Sequence, residues 1–376
     1  MKKLFFSIAV LLLACSCHHG SDVVRDTIPF VKQIAEDTTG LFSLVQQYRT
    51  GGTEGSIAII GETENCLRLA AQFLSSDRVD NIDGRPGADR LPDFAGEVFD
   101  VLLDTYNEPF LRMAVSSPDS LRETAVRDVL MALDSVAYAN ALDQRTRLSK
   151  NRAKLFVLSS SLLSAYGQFD IDTLFKMAER EPLILSPVEA ALTAAKGLSR
   201  VAVWAPQASK PAYEEAAARL CPGLEVTVLS PSETDTRSAF RDLLREFRAA
   251  RPNARLDALI LDSFSVDMEQ LYAEKEHIYR KITEEDMAFD RILTPGFRFI
   301  EPKDCLVSAC YRLLREKNLF THNIAYPAAR YFQTEEAADG NAVPVEIGAD
   351  YVAGLMAALD GKRNSEDLVV HVSDHD

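Results

Sequence analysis

Residues 56–74, Ser56-Ile57-Ala58-Ile59-Ile60-Gly61-Glu62-Thr63-Glu64-Asn65-Cys66-Leu67-Arg68-Leu69-Ala70-Ala71-Gln72-Phe73-Leu74, decide the fold class. A short apolar run without alternation reads as a strand buried on both faces. It breaks at Gly61, and from Glu64 the apolar residues return at helical spacing. Strand, polar turn and helix make the repeating unit of an α/β protein with largely parallel sheets. Working outward, the same unit recurs. Before it lies a break at Gly51-Gly52-Thr53-Glu54-Gly55; after it come a loop over 77–92 and a helix over 94–105. Strands are expected at 110–115, 155–158 and 182–185, with helices at 120–133, around 175–178 and at 187–196. A second series opens with Arg200-Val201-Ala202-Val203-Trp204. Strands follow at 224–229, 256–261 and 297–300, with helices at 211–220, 236–250, 268–293, 305–314 and 350–359. The expectation is two doubly wound, Rossmann-like domains, 55–197 and 198–363, facing across a cleft, with a polar tail at 364–376. Such sheets place ligands outside the carboxyl ends of their strands.

The 376 residues suit two domains, and 47% hydrophobic with 26% charged residues excludes global disorder. Forty-one Lys+Arg against 56 Asp+Glu leave a net charge of −15. That field argues against a nucleic-acid partner and against electrostatic docking on anionic lipid.

Lys2 and Lys3, the apolar stretch 4–13 and Leu12-Leu13-Ala14-Cys15 resemble the signal and lipobox of a bacterial lipoprotein. The apolar stretch is too short to span a bilayer. The resemblance implies cleavage before Cys15, lipid on its sulfur and new amine, and residence in the cell envelope (periplasmic or outer-membrane face). Residues 15–50 then read as a lipid-anchored tether and an N-terminal helix. The membrane is a partner only through that lipid.

Cys66, Cys221, Cys305 and Cys310 match no zinc pattern and read as free buried thiols. No Gly-x-Gly-x-x-Gly, Walker loop, Gly-x-Ser-x-Gly or His-Glu-x-x-His is present, so no cofactor or metal is expected. Four of six histidines fall in the tether or tail, leaving His277 and His322. The loop Asp83-Gly84-Arg85-Pro86-Gly87-Ala88-Asp89-Arg90-Leu91-Pro92-Asp93 offers Asp83, Arg85 and Asp93 to a ligand, unless Asp93 merely caps a helix. The strand ends offer Glu62, Thr63, Ser159, Ser160 and, nearby, Tyr166 in the first half. They offer Trp204, Gln207, Asp262 and Ser263 in the second. Trp204 reads equally as a stacking platform or a core-edge anchor, and the serines equally as anion donors or helix caps.

Two α/β halves, the lipobox and the closing Ile347-Gly348-Ala349-Asp350-Tyr351-Val352-Ala353-Gly354-Leu355 with Asp360-Gly361-Lys362 resemble type I periplasmic-binding-protein-like proteins. That resemblance implies a small polar solute in a hinged cleft, passed to a transporter or receptor. The alternative is an exported two-domain enzyme, a hydrolase or racemase-like protein, using carboxylates such as Asp83, Asp93 or Asp262. Racemases of that shape need a thiol at a strand end in each half. Cys66 and Cys305 fall in helices, which speaks against the thiol version. A third reading is a non-catalytic assembly lipoprotein.

Overall fold

The computed structural model describes residues 25–373 except 38–39, 82, 144, 232–234 and 264–265, with side chains described up to 361. Cys15 and the pair Phe264-Ser265 lie outside the described residues. Helices α1 (Pro29–Glu36) and α2 (Leu41–Gln46) lead into β1 (Ser56–Gly61), α3 (Thr63–Leu74) and β2 (Val98–Leu103). Then come α4 (Phe110–Ser116), α5 (Pro118–Leu133), β3 (Val136–Tyr138), β4 (Arg147–Ser149) and β5 (Ala153–Leu158). The first half closes with α6 (Ser161–Met177), β6 (Ile184–Leu185) and α7 (Pro187–Ala194). Next are β7 (Arg200–Trp204), a 3-10 turn (Gln207–Ser209), α8 (Lys210–Leu220), β8 (Glu225–Leu229), α9 (Thr236–Ala250) and β9 (Leu256–Leu261). The chain ends through α10 (Met268–Tyr279), α11 (Glu284–Ile292), β10 (Leu293–Ile300), α12 (Pro302–Glu316), β11 (Ala328–Glu336), β12 (Ala342–Ile347) and α13 (Ala349–Ser373).

These strands form two sheets, ordered β4-β3-β12-β11-β2-β1-β5-β6 and β10-β9-β7-β8. The smaller is wholly parallel, and in the larger β11, β2, β1, β5 and β6 run parallel. The molecule is thus a two-domain α/β protein with mainly parallel sheets. Every residue of β1 is buried. Ile57 and Ile59 point into the core covered by α3 and α12, Ala58 and Ile60 into the core covered by α4, α5 and α6. This is the period-two alternation of a strand covered on both faces.

Several expectations change. Residues 94–105 are not a helix: Phe99, Val101 and Leu103 face one core and Leu102 the other, so 98–103 is the strand β2. Residues 110–115 are helical, because Phe110 and Ala114, four apart, bury while Leu111 and Val115 face water. The helix expected over 268–293 divides at Thr283, whose capping box with Asp286 starts α11. The expected second domain also divides, since only residues 200–300 build the small sheet. The chain then returns through α12, and β11 adds in parallel to β2, whose edge would otherwise be bare.

The N-terminal stretch packs as well. Ile28, Val31, Ile34, Phe42, Val45 and Tyr48 are buried in the first core, so the body begins near residue 28 rather than 50. Buried Asp170 holds this entry, accepting from Ile28 N at 3.2 Å and from Arg122 Nε at 2.6 Å. The cysteines of the body are free: Cys66, Cys221 and Cys310 are buried and Cys305 half-buried.

Candidate functional site

The carboxyl ends of β1, β2, β5, β7 and β9 all meet at the contact between the domains. Ser161 Oγ and Ser209 Oγ bond across it at 2.7 Å, both buried. Ser161 is the first residue of α6, and Ser209 closes the 3-10 turn after β7.

On the first domain, Glu62 and Glu108 cap each other's neighbouring helices. Glu62 Oε1 accepts from Phe110 N at 3.0 Å, at the start of α4. Glu108 accepts from Thr63 N at 2.9 Å and Thr63 Oγ1 at 3.0 Å, at the start of α3. Behind them Asp104 accepts from Thr334 Oγ1 at 2.7 Å and Asn107 Nδ2 at 3.0 Å. Asp128, wholly buried on α5, has no hydrogen-bond partner at either carboxyl oxygen. Burial pushes Asp104 up, and it pushes Asp128 far above the usual carboxylate range, with Asp104 adding to the effect. Burial of the two carboxyls close together favours the protonated form, most strongly at Asp128. Burial also raises Glu62, reinforced by the charges of Glu108 and Asp104.

On the second domain, Asp262 follows β9, with its backbone N–H on Trp204 O at 2.9 Å. Its side chain is half-buried overall, but Oδ2 is sealed from solvent. Tyr213 is wholly buried on α8, and burial, with the Asp262 carboxyl beside it, raises its hydroxyl well above the usual tyrosine range. Burial pushes the Asp262 carboxyl up to about 7; the Ser161 and Tyr213 hydroxyls beside it draw it down, and the charge of Glu62 raises it. None of Glu62, Asp104, Asp128 and Asp262 forms an ion pair among the described residues. Among the described residues no cluster of His, Cys, Asp or Glu is arranged to hold a metal ion.

The sequence-derived candidates separate into two groups. Glu62, Thr63, Ser159, Ser160 and Asp262 converge on this contact, with Ser263 next in the chain. Ser160 is the N-cap of α6, accepting from Leu162 N, and Ser159 Oγ lies 3.3 Å from the Cys66 sulfur. Trp204 packs against the second domain's core, which makes it an edge anchor. Gln207 Nε2 donates to Val228 O at 3.1 Å, and Tyr166 packs against the first core.

Asp83, Arg85, Asp93 and His322 lie elsewhere. The loop 77–97 precedes β2 and the loop 320–327 precedes β11, so both sit at the opposite, amino-terminal rim. The loop's carboxylates hold its own backbone. Asp93 accepts from Ser76 Oγ at 2.5 Å, Arg78 N at 3.1 Å and Val79 N at 3.0 Å, and Asp83 accepts from Arg85 N at 2.8 Å. Asp93 is thus a loop staple rather than the helix cap of the sequence reading. His322 is exposed.

Sequence reasoning missed Asp104, Glu108, Asp128, Ser209 and Tyr213. Asp104 and Glu108 would have followed from placing β2 at 98–103, because strand ends were the rule applied. Asp128 carries no sequence signal, since an acidic residue inside a helix normally faces water.

Thiol chemistry has no footing at this contact. Cys66 is wholly buried in α3 and Cys305 sits in α12; burial raises both thiols, and the thiolate is the reactive form. Serines and an aspartate stand at the strand ends instead.

No family model matches the sequence, and no curated protein matches it. Solved structures resemble it in outline. A glutamate racemase from Francisella tularensis subsp. tularensis, in complex with D-glutamate, is 16% identical with a TM-score of 0.48, over 77% of this chain and 91% of that one. Glutamate racemase from Thermus thermophilus is 13% identical with a TM-score of 0.46, over 77% and 91%. The aspartate racemase of Picrophilus torridus is 12% identical with a TM-score of 0.37, over 70% and 94%. None of these three is a periplasmic binding protein. At this identity and overlap the likeness carries nothing about activity.

Proposed function

We propose that the chain is a carboxylate-based acid–base enzyme that moves a proton on a small zwitterionic substrate held between its domains. The carrying observation is the placement of Asp262 at the convergent strand ends, beside the Ser161 and Tyr213 hydroxyls and within the field of Glu62 on the other domain, where burial raises its carboxyl to about 7. An acid–base group works best when its pKa lies near the operating pH. Glu62, on the other domain and also raised, supplies the second group. A substrate between them meets one carboxyl from each side, which suits abstraction on one face and return on the other. In this reading Asp262, as carboxylate, takes a proton from carbon, and protonated Glu62 delivers one to the opposite face. The positive end of α6 receives the substrate's carboxylate, and the exposed Glu108 carboxyl receives its ammonium.

The test is solvent exchange. Amino acids of both hands are incubated with the protein in D2O, and the α-proton signal is followed by NMR. Exchange should occur for at least one, and Asp262→Asn should slow it by about 10²–10⁴-fold. Thermal stabilisation by an amino acid without exchange would sink the enzyme and leave the solute-binding reading. The lipid anchor on Cys15 belongs to the same proposal: radiolabelled palmitate should enter the wild-type chain and not Cys15→Ser.

A further inference from the structure

At the other end of the same strands lies a cavity of about 1350 Å³, between the loop 49–55, the start of β5 and the segment 179–181. Its lining includes five cations, Arg49, Lys150, Arg152, Lys154 and Arg180, against three carboxylates, all of them exposed. This local excess of positive charge stands out on a chain of −15. Lys154 is neutralised inside the protein by Glu97 at 2.8 Å. Lys150 is not.

Lys150 is only 5% exposed, and its Nζ donates to Ala132 O at 2.8 Å and Asn151 O at 3.3 Å. An ammonium has three donors, so one remains. Among the described residues Lys150 forms no ion pair, and neither do Arg49, Arg152 or Arg180. Arg152 Nη1 donates to Gln47 Oε1 and Arg180 Nε to Gln46 O, which holds both guanidinium groups at the mouth. A buried charge normally has a partner. We propose that this cavity binds a phosphate-bearing anion, with Lys150 at its floor and Arg49, Arg152 and Arg180 at its mouth. The guanidinium forks suit phosphate oxygens, and the recessed ammonium contributes the least hydrated charge.

Titration supplies a second handle. Burial lowers Lys150 to about 8, with Arg330 and Arg152 adding to the effect and Asp100 and Asp134 opposing it. Anion binding should weaken as pH rises from 7 to 9.

The experiment follows thermal unfolding of the intact protein with inorganic pyrophosphate, using sulfate at equal ionic strength as reference. Pyrophosphate should raise the midpoint beyond sulfate, and Lys150→Met should weaken the apparent affinity about tenfold or more. The double variant Arg152→Ala/Arg180→Ala, altered only at exposed positions, should do the same even where Lys150→Met fails to fold. Sedimentation with phosphatidylglycerol vesicles separates the sources. Wild-type binding lost in the double variant makes the anion a lipid headgroup, and pyrophosphate stabilisation without sedimentation makes it soluble. A midpoint that pyrophosphate does not move, that sulfate moves equally, or that moves unchanged in the double variant overturns the site.

Discussion

The two rims of the large sheet treat buried charge in opposite ways. At the amino-terminal rim Lys154 meets Glu97 at 2.8 Å and donates further to Thr53 O and Leu319 O, while Asp93 is filled by a hydroxyl and backbone amides. At the carboxyl-terminal rim Glu62, Asp104, Asp128 and Asp262 crowd together, and among the described residues none of them forms an ion pair. A compensated buried charge stabilises the fold only while both partners remain. An uncompensated carboxyl takes up a proton instead, and its titration moves toward neutrality. The first arrangement is architecture, and the second is a supply of transferable protons. Near the amino-terminal rim Lys150 and Asp100 depart from this pattern: among the described residues neither forms an ion pair, and the proposed anion would compensate Lys150.

The sharpest way to break the comparison is to remove one partner at each rim. Lys154→Met strands Glu97 in the core and should cost about 3–5 kcal/mol by denaturant titration. Next comes the pH dependence. Because Asp262 is raised in the fold to about 7, the native state binds its proton where the unfolded chain, with an ordinary carboxyl, does not. Its contribution to stability is therefore present below the unfolded pKa and lost as pH rises through about 7. The slope approaches about −1.4 kcal/mol per pH unit between those values. Asp262→Asn should flatten that slope, and an unchanged slope would mean the carboxyl ionises normally. A smaller effect is expected at Tyr48, whose hydroxyl donates to Lys154 O at 2.8 Å and accepts from Leu183 N at 3.1 Å. Tyr48→Phe leaves the Leu183 amide unpaired and should cost about 1–2 kcal/mol in the same titration. The smallest is Asp128→Asn, where replacing a buried carboxyl that burial keeps from ionising should leave stability within about 0.5 kcal/mol or raise it. A loss as large as at Lys154 would mean the carboxyl-terminal rim is architecture too.

The alternation of strands and helices was legible because the strands at 56–61, 200–204 and 256–261 are largely buried on both faces, and so carry short apolar runs such as 57–60, 201–204 and 258–261. The segment 110–116 was not, since a short apolar run has the same appearance in a strand and in a buried helix turn. The return of β11 and β12 to the first sheet is set by which strand edge stays open, a long-range fact with no local mark. The strand-end rule named Glu62, Thr63, Ser159, Ser160 and Asp262, which the fold brings to the domain contact. The same rule could not reach Asp128, inside a helix, or Tyr213, which faces Asp262 only once the second domain has formed. The Asp83–Asp93 loop misled because its carboxylates resemble ligand donors until their backbone partners are known.

The account rests on the ionisation of one side chain. Carbon-13 NMR of aspartate-labelled protein, with the Asp262 carboxyl assigned by its disappearance in Asp262→Asn, follows that group through a pH titration. A midpoint close to 7 is predicted. A midpoint near the ordinary aspartate value of about 4 would contradict the acid–base assignment at its source.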